Sequence, residues 1–493
     1  MSEEILINVG IGETRVALME NGMLRDLVIE RSVDDTAAAP GGGTTGQSLV
    51  GNLMIGRVER VLPGMQAAFV NIGHERSGFL GVREAQCLCE LMGLDAARAQ
   101  GRLPRINECV REGEKVLVQV LKDPIGDKGP RLSANVTIPG RLLVAVPHQQ
   151  GVALSRRIEN EEDRVRLSAL VERIGAEVAE AEGEGVGQVG WIVRTAALHA
   201  DEAAVERDAR HVLHTWRDVR ERAANAAPPA TVYRELGPVQ RVLRDHLDEE
   251  TRAVTIDDMD AFLAARAFCD AVMPGYADRL KHHAGREPLF ESRGVEAEIE
   301  TALSPRVDLH SGGWITVERT EALTAIDVNS GSYTAANDLE QTSHRINLEA
   351  ATAIARQVRL RGIGGLVVID FIHLSDEAHK AEVVARLEEG FAGDRTPTQI
   401  LPMSEFGTVE MTRKRVREPL DRLLLDPVRA EPRKSRATMA YELLRAVEAA
   451  AARAPGRALG VRAAPEVLDW IEKSGLVAEL QARLKVDVRF EPV

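Results

Sequence analysis

Aromatic residues are scarce, 3% of 493, so the cores have to be built from Ala, Val, Leu and Ile. Hydrophobic content of 44% is ample for that. No run of about 18 apolar residues occurs, which excludes a helical membrane span. The start, Met1-Ser2-Glu3-Glu4-Ile5, has neither the basic nor the apolar region of a signal peptide. Four cysteines, Cys87, Cys89, Cys109 and Cys269, are too few and too scattered for a disulfide scaffold, so a reducing cytoplasm is expected. An overall basic charge is also missing. The net charge of −14 argues against nucleic-acid binding on average. Local charge differs, however: Arg413 to Arg436 holds nine Lys/Arg against four Asp/Glu.

A chain of this length should hold about three to five domains. Residues 5–29 read as alternating strands, with Asn21-Gly22 a hairpin signal. Thr36–Ser48 is a loop by composition, and its Gly-Gly-Gly lacks the Lys-Ser/Thr of a phosphate-cradling loop. Met54–Val61, Ala67–Ile72, Ser77–Leu80 and Lys115–Val120 are short strands that suit a small five-stranded OB barrel. Phe69 and Phe79 could present rings to bases, with Lys128 in a Gly-rich loop reaching phosphate. The competing reading puts both rings in the barrel interior. Ala85–Asn107 interrupts the barrel, and Cys87-x-Cys89 alone is poor zinc evidence. Asp163–Ala181 and Asp201–Ala227 read as helices, the second with Asp201 as N-cap. Trp191–Thr195 is a strand ending in Arg194 and Thr195, a pair suited to a small anion, although an ion pair is the commoner fate of an Arg. Val409–Leu425 reads as a basic helix, followed by a proline-broken linker and a small α/β appendage.

The richest stretch runs from Ala325 to Asp370. Ala322–Asn329 looks like a strand, Asp338–Arg361 has helical spacing with Gly362 as a stop, and Leu366–Ile369 is an apolar run expected of a strand buried on both faces. A helical crossover makes the two strands parallel, so Asp327 and Asp370 should meet on one sheet rim with Asn329 beside them. Two carboxylates and an amide can hold Mg²⁺, which keeps waters and leaves room for a phosphate. Asp at a strand end is also a common turn former.

Four stretches in one order resemble the ribonuclease E/G family: Arg60-Val61-Leu62-Pro63-Gly64-Met65-Gln66-Ala67-Ala68-Phe69-Val70; Trp191–Thr195 with Gly140 and Ser155-Arg156-Arg157 upstream; Ala325–Asn329; and Leu366–Phe371 through Glu410-Met411-Thr412-Arg413-Lys414-Arg415. The resemblance covers nearly the whole chain. No long Pro/Arg-rich tail follows residue 493, which implies the shorter form of the family.

What the resemblance implies is an α/β multidomain protein. A split RNase H-like domain (1–47 and 239–302) would enclose an S1-type OB barrel (48–138) and a 5′-sensor domain (139–238). A DNase I-like catalytic domain (303–423), a linker (424–436) and a small domain (437–493) would follow. Asp327 and Asp370 would be Mg²⁺ carboxylates and Asn329 would orient the scissile phosphate. Phe69, Phe79 and Lys128 would contact RNA, and Gly140, Val144, Arg194 and Thr195 would sense a 5′-monophosphate. The family's Cys-x-x-Cys linker, which shares a zinc between two chains, is absent from Leu423–Arg436. Zinc is therefore not expected, and a homodimer, if the small domain forms one, has to rest on apolar or charge contacts. Pro397 falls where the family often places a cation, which implies weaker 5′-end dependence unless Arg395 substitutes. The expected function is a cytoplasmic, Mg²⁺-dependent endoribonuclease acting on single-stranded, A/U-rich RNA, in ribosomal RNA maturation and messenger decay. The rivals are a non-catalytic RNA-binding or assembly protein using the barrel alone, and a metal phosphoesterase acting on DNA or small phosphodiesters.

Overall fold

The computed structural model describes residues 3–31, 48–91, 104–124, 129–183, 189–331, 339–394, 396–425, 434–454, 456–485 and 488–492. Lys128, Arg395, most of the 36–48 loop, residues 92–103 of the barrel interruption and residues 426–433 of the linker lie outside them. The chain forms two compact units, residues 1–46 with 250–262 and 279–493, and residues 47–249 with 263–278. Among the described residues no helix is long and apolar enough to cross a membrane.

In the 47–249 unit, strands Leu53–Leu62, Ala67–Asn71, Gly78–Gly81, Arg131–Ser133 and Lys115–Lys122 pair in that order, and the last also pairs with the first. That closure makes a five-stranded, OB-like barrel. Its interior is Ala68, Val70, Leu80, Val118, Val120 and Leu132, all close to fully buried. Side chains alternate along a strand, so Phe69 and Phe79 fall on the outer face, and the reading that placed both rings inside is overturned. The helix Val82–Leu91 and the short helix Ile106–Cys109 interrupt the barrel and are joined by a Cys89–Cys109 disulfide. The expectation of no disulfide framework therefore misses one local crosslink.

The same unit carries a four-stranded sheet in the order Val152–Leu154, Val189–Val193, Leu143–Pro147, Ile138–Pro139. Helices Glu161–Glu182 and Glu202–Asn225 cover one of its faces through Leu167, Val171, Ile174, Val212 and Trp216. Asp201 caps the second helix as expected, accepting from Ala204 N at 2.7 Å.

In the other unit, a five-stranded sheet has the order Leu280–His282, Thr251–Ile256, Glu3–Gly10, Glu13–Glu20, Met23–Arg31. The Asn21-Gly22 turn is there, both residues with positive φ, 51° and 83°. Helix Arg436–Arg453 lies against this sheet's loops, where Arg445 and Arg31 pair with the buried Glu13. On the same helix Glu448, 18% exposed, faces Arg483 at 3.5 Å. Burial pushes its carboxyl up to about 7, against the Arg483 charge and an N–H from Ile11. Burial also raises Asp257 nearby, against hydrogen bonds from Val9 N and Asn8.

A carboxyl raised only in the folded state holds its proton while the unfolded chain has lost it. Stability therefore falls as pH rises from the ordinary value of 4.5 to about 7. Glu448→Gln should match the parent near pH 4 and be more stable at pH 8 by about 3 kcal/mol. Urea unfolding at the two pH values checks this; equal stability at pH 8 would refute it.

The second sheet of this unit has six strands in the order Arg306–Asp308, Trp314–Arg319, Leu323–Asn329, Gly365–Asp370, Thr408–Arg413, Thr398–Ile400. Helix Leu339–Leu360 is the crossover between the third and fourth, which are parallel. Ile326, Val328, Val367, Ile369, Val409 and Met411 pack against Ile346, Ala350 and Ile354 of that helix and Val383, Leu387 and Phe391 of helix Glu377–Phe391. Two expectations fail here. Val409–Leu425 is not one basic helix but the strand Thr408–Arg413 and the helix Leu420–Leu424. Val409, Met411 and Arg413 alternate inward, and Arg413 is buried because Asp394 pairs with it at 2.8 Å. Leu366–Ile369 is buried on one face only, since Leu366 is 39% exposed.

Candidate active site

Strand Leu323–Asn329 buries Ile326 and Val328 and turns Ala325, Asp327 and Asn329 to the open face of the sheet. Strand Gly365–Asp370 does the same with Leu366, Val368 and Asp370. The parallel register sets Asp327 directly beside Asp370, one strand spacing apart, about 4.8 Å. Both carboxylates are exposed, and neither is in an ion pair among the described residues. Asn329 donates from Nδ2 to Asp327 Oδ2 at 2.7 Å, which fixes the carboxylate's rotamer. The three residues that spacing brought to one rim are therefore together.

Among the described residues no third His, Cys, Asp or Glu completes a metal cluster with them. Two hard carboxylates and an amide oxygen are too few, and of the wrong type, for a structural zinc site. They fit Mg²⁺, which takes one or two carboxylates and fills its remaining positions with water and phosphate oxygens.

The chain after Asp370 is held on both sides. Asn347, fully buried in the crossover helix, donates to Ile372 O at 2.7 Å and accepts from Ile372 N at 3.0 Å. Glu340, in the first turn of the crossover helix, accepts from Ser375 N at 3.1 Å and Asp376 N at 3.3 Å. Those amide bonds, with His379, hold the Glu340 carboxyl below its usual range. Sequence reasoning missed both residues. The available signal was a polar Asn347 inside the apolar stripe Ile346, Ala350, Ile354.

In the other unit, Phe69 and Phe79 are register partners on neighbouring strands, their rings edge to face with centroids 6.1 Å apart. Arg60 lies opposite Phe69 and Arg131 opposite Phe79, both exposed. The outer wall of the barrel thus shows an aromatic pair between two cations, the composition of a stacking platform for single-stranded nucleic acid.

Of the four residues expected to sense a 5′-phosphate, Val144 lies within strand Leu143–Pro147, Gly140 follows strand Ile138–Pro139, and Arg194 and Thr195 follow strand Val189–Val193. Val144 pairs with Ile192 and with Pro139, and Arg194 N donates to Leu142 O at 2.8 Å. Thr195 Oγ1 meets Ser155 Oγ at 3.0 Å. A side chain at Gly140 would force its neighbours to shift, since a Cβ there would come within 2.5 Å of Asp208 Oδ2. Asp208 is buried and accepts from the N–H groups of Arg141, Leu142 and Leu143 at 2.8–2.9 Å, so it holds the Gly140 turn in place. Arg194 is ion-paired: its Nη1 lies 2.6 Å from Asp245 Oδ1. Burial raises the Asp245 carboxyl, but hydrogen bonds and charge from Arg244 and Arg194 outweigh that and bring it to about 2. The Asp245 carboxylate therefore stays ionised through the neutral range, and it fixes the Arg194 guanidinium beside Thr195.

A family model described as the Ribonuclease E/G family matches residues 137–416. Ribonuclease G of Haemophilus influenzae is 37% identical over 485 residues, covering 97% of this chain and 94% of its own. Ribonuclease G of Escherichia coli strain K12 is 36% identical over 501 residues, covering 100% and 98%. Ribonuclease E of Nostoc sp. strain PCC 7120 is 39% identical over 375 residues, 75% of this chain and 52% of its own.

Proposed function

The chain belongs to the ribonuclease E/G family and is an endoribonuclease, and from that premise we propose that it cuts single-stranded, A/U-rich RNA with Mg²⁺ at Asp327 and Asp370. The observation that carries the reading is the register that sets these two carboxylates side by side on an open sheet face, without a basic partner among the described residues. In this reading both carboxylates hold the cation, and Asn329 fixes Asp327 and orients the scissile phosphate. When bound, Mg²⁺ supplies charge to the phosphoryl oxygens and lowers the pKa of water toward neutrality. The chain's own residues do the rest by positioning, because phosphodiester hydrolysis needs no nucleophilic side chain here. Water adds to phosphorus, the 3′-oxygen leaves, and the products carry 5′-phosphate and 3′-hydroxyl ends. Ribosomal RNA 5′ maturation and messenger decay are the roles this chemistry fits.

The unit spanning 47–249 supplies recognition in this reading, with an S1-type barrel for the strand and a sensor for its 5′ end. Phe69 and Phe79 stack on bases, and a 5′-monophosphate meets Arg194, Thr195 and the backbone at Gly140 and Val144. A charge-assisted contact of this kind contributes about 1.5–3 kcal/mol, so a 5′-monophosphorylated oligomer should be cleaved about 10- to 100-fold faster than its 5′-hydroxyl twin. Equal single-turnover rates for the two would remove the sensor from the account. The first unit then reads as an RNase H-like sheet, a DNase I-like catalytic sheet and a small C-terminal domain.

A further inference from the structure

Phe406 is 87% exposed, the highest value among the large apolar side chains of the described residues. In a chain with 3% aromatics, a phenylalanine left in water contributes nothing to the core. It sits in a tight turn that usually carries polar residues, Ser404-Glu405-Phe406-Gly407. The turn is over-determined. Gly407 N donates to Ser404 O at 3.0 Å, Thr408 N donates to Ser404 Oγ at 3.2 Å, and the Ser404 and Thr408 hydroxyls meet at 2.7 Å. Gly407 has φ of 87°, so glycine is needed to close it.

The turn is fastened to the strand that carries Asp370. Phe371 N donates to Gly407 O at 3.2 Å, and Thr408 is the register partner of Asp370. Phe406, its side chain in solvent, therefore stands two residues before the register partner of Asp370, on a turn whose backbone is fixed to that strand's end. The substrate of an endoribonuclease presents unpaired bases on either side of the bond it loses, and each base has a face for a ring.

We propose that Phe406 is the base-stacking residue of the cleavage site, holding the nucleobase next to the scissile phosphate. This rests on the reading that Asp327 and Asp370 form that site. Stacking on Phe406 fixes the nucleotide's backbone, and it admits only a base free of its duplex partner. Preference for single-stranded RNA is then set at the cleavage site as well as on the barrel.

The test measures single-turnover cleavage of a single-stranded oligomer by the parent, Phe406→Ala, Phe406→Trp and Phe406→Leu, with an abasic nucleotide placed in turn on each side of the cleaved bond. Phe406→Ala should lose about 10- to 100-fold, the worth of one stacked base, while Phe406→Trp keeps the parent rate and Phe406→Leu does not. At one position the abasic substrate should slow the parent to the level of Phe406→Ala and leave Phe406→Ala unchanged. The stacking role is overturned if Phe406→Ala cuts as fast as the parent, if Phe406→Leu matches the parent, or if the abasic penalty is the same in both at every position. Asp327→Asn separates the two failures. An inactive Asp327→Asn beside a fully active Phe406→Ala sinks the stacking role alone, whereas an active Asp327→Asn sinks the site on which it rests.

Discussion

Asp327→Asn binds RNA as tightly as the parent and hardly cuts it. The substitution keeps the side chain's shape and leaves an oxygen to accept from Asn329 Nδ2, which now lies 2.7 Å from Asp327 Oδ2. What it removes is a unit of negative charge at the place where two carboxylates share a cation. Loss of one preorganised electrostatic contribution costs on the order of 10²–10³-fold in rate, and loss of the cation itself costs more. Affinity is expected to hold because the aromatic pair and its flanking arginines belong to the 47–249 unit, whose residues are unchanged. Cleavage at saturating Mg²⁺ together with fluorescence anisotropy reads both quantities. Retained cleavage by Asp327→Asn, with Asp327→Asn/Asp370→Asn prepared identically as the control for a contaminating nuclease, would contradict the carboxylate pair as the cleavage site. Cleavage by the parent also disposes of the non-catalytic RNA-binding alternative, and comparing an RNA strand with its DNA counterpart disposes of the DNA phosphoesterase.

Phe69→Ala combined with Phe79→Ala should weaken RNA binding by about 10- to 1,000-fold, since each stacked base contributes about 1–3 kcal/mol. The rings touch, with centroids 6.1 Å apart, so the double variant should lose less than the sum of the single ones. The slope of affinity against salt should hardly change, because that slope counts phosphate contacts and neither Phe makes one. Folding should survive, because Ala68, Val70 and Leu80 fill the barrel and remain. Anisotropy titrations at several salt concentrations, beside a thermal melt, check all three expectations. Unchanged affinity would return the rings to the role of surface packing, and a collapsed melt would make them structural.

The sequence was most readable where local chemistry decides local structure. Asn21-Gly22 demanded a turn with positive φ, Asp201 capped its helix, and the apolar spacing of Ile346, Ala350 and Ile354 marked the crossover helix. The crossover makes the Asp327 and Asp370 strands parallel, which is why the carboxylate pair is legible in the sequence. Reading failed where tertiary partners override a pattern. Val409 to Arg413 alternates with a strand period, but its third inward residue is an arginine whose burial depends on Asp394. Leu366 looked like core yet lies on the open face that carries the carboxylates. Phe69 and Phe79 alternate with Ala68, Val70 and Leu80, and the parity could have told inside from outside once those smaller residues were taken as the filling. Glu448 facing Arg483 near Asp257, and Asp245 holding Arg194, pair positions far apart in the chain, for which no local signal exists.

The most direct test of the account is the rate of cleavage of one short, 5′-monophosphorylated, A/U-rich oligomer as Mg²⁺ is titrated, in the parent and in Asp370→Asn. The parent should be silent in chelator and rise to a plateau with Mg²⁺, and the variant should reach no comparable plateau at any concentration. A parent that cuts equally well in chelator, or a variant whose Mg²⁺ curve overlays the parent's, would contradict the claim that these two neighbouring carboxylates hold the cation that cuts RNA.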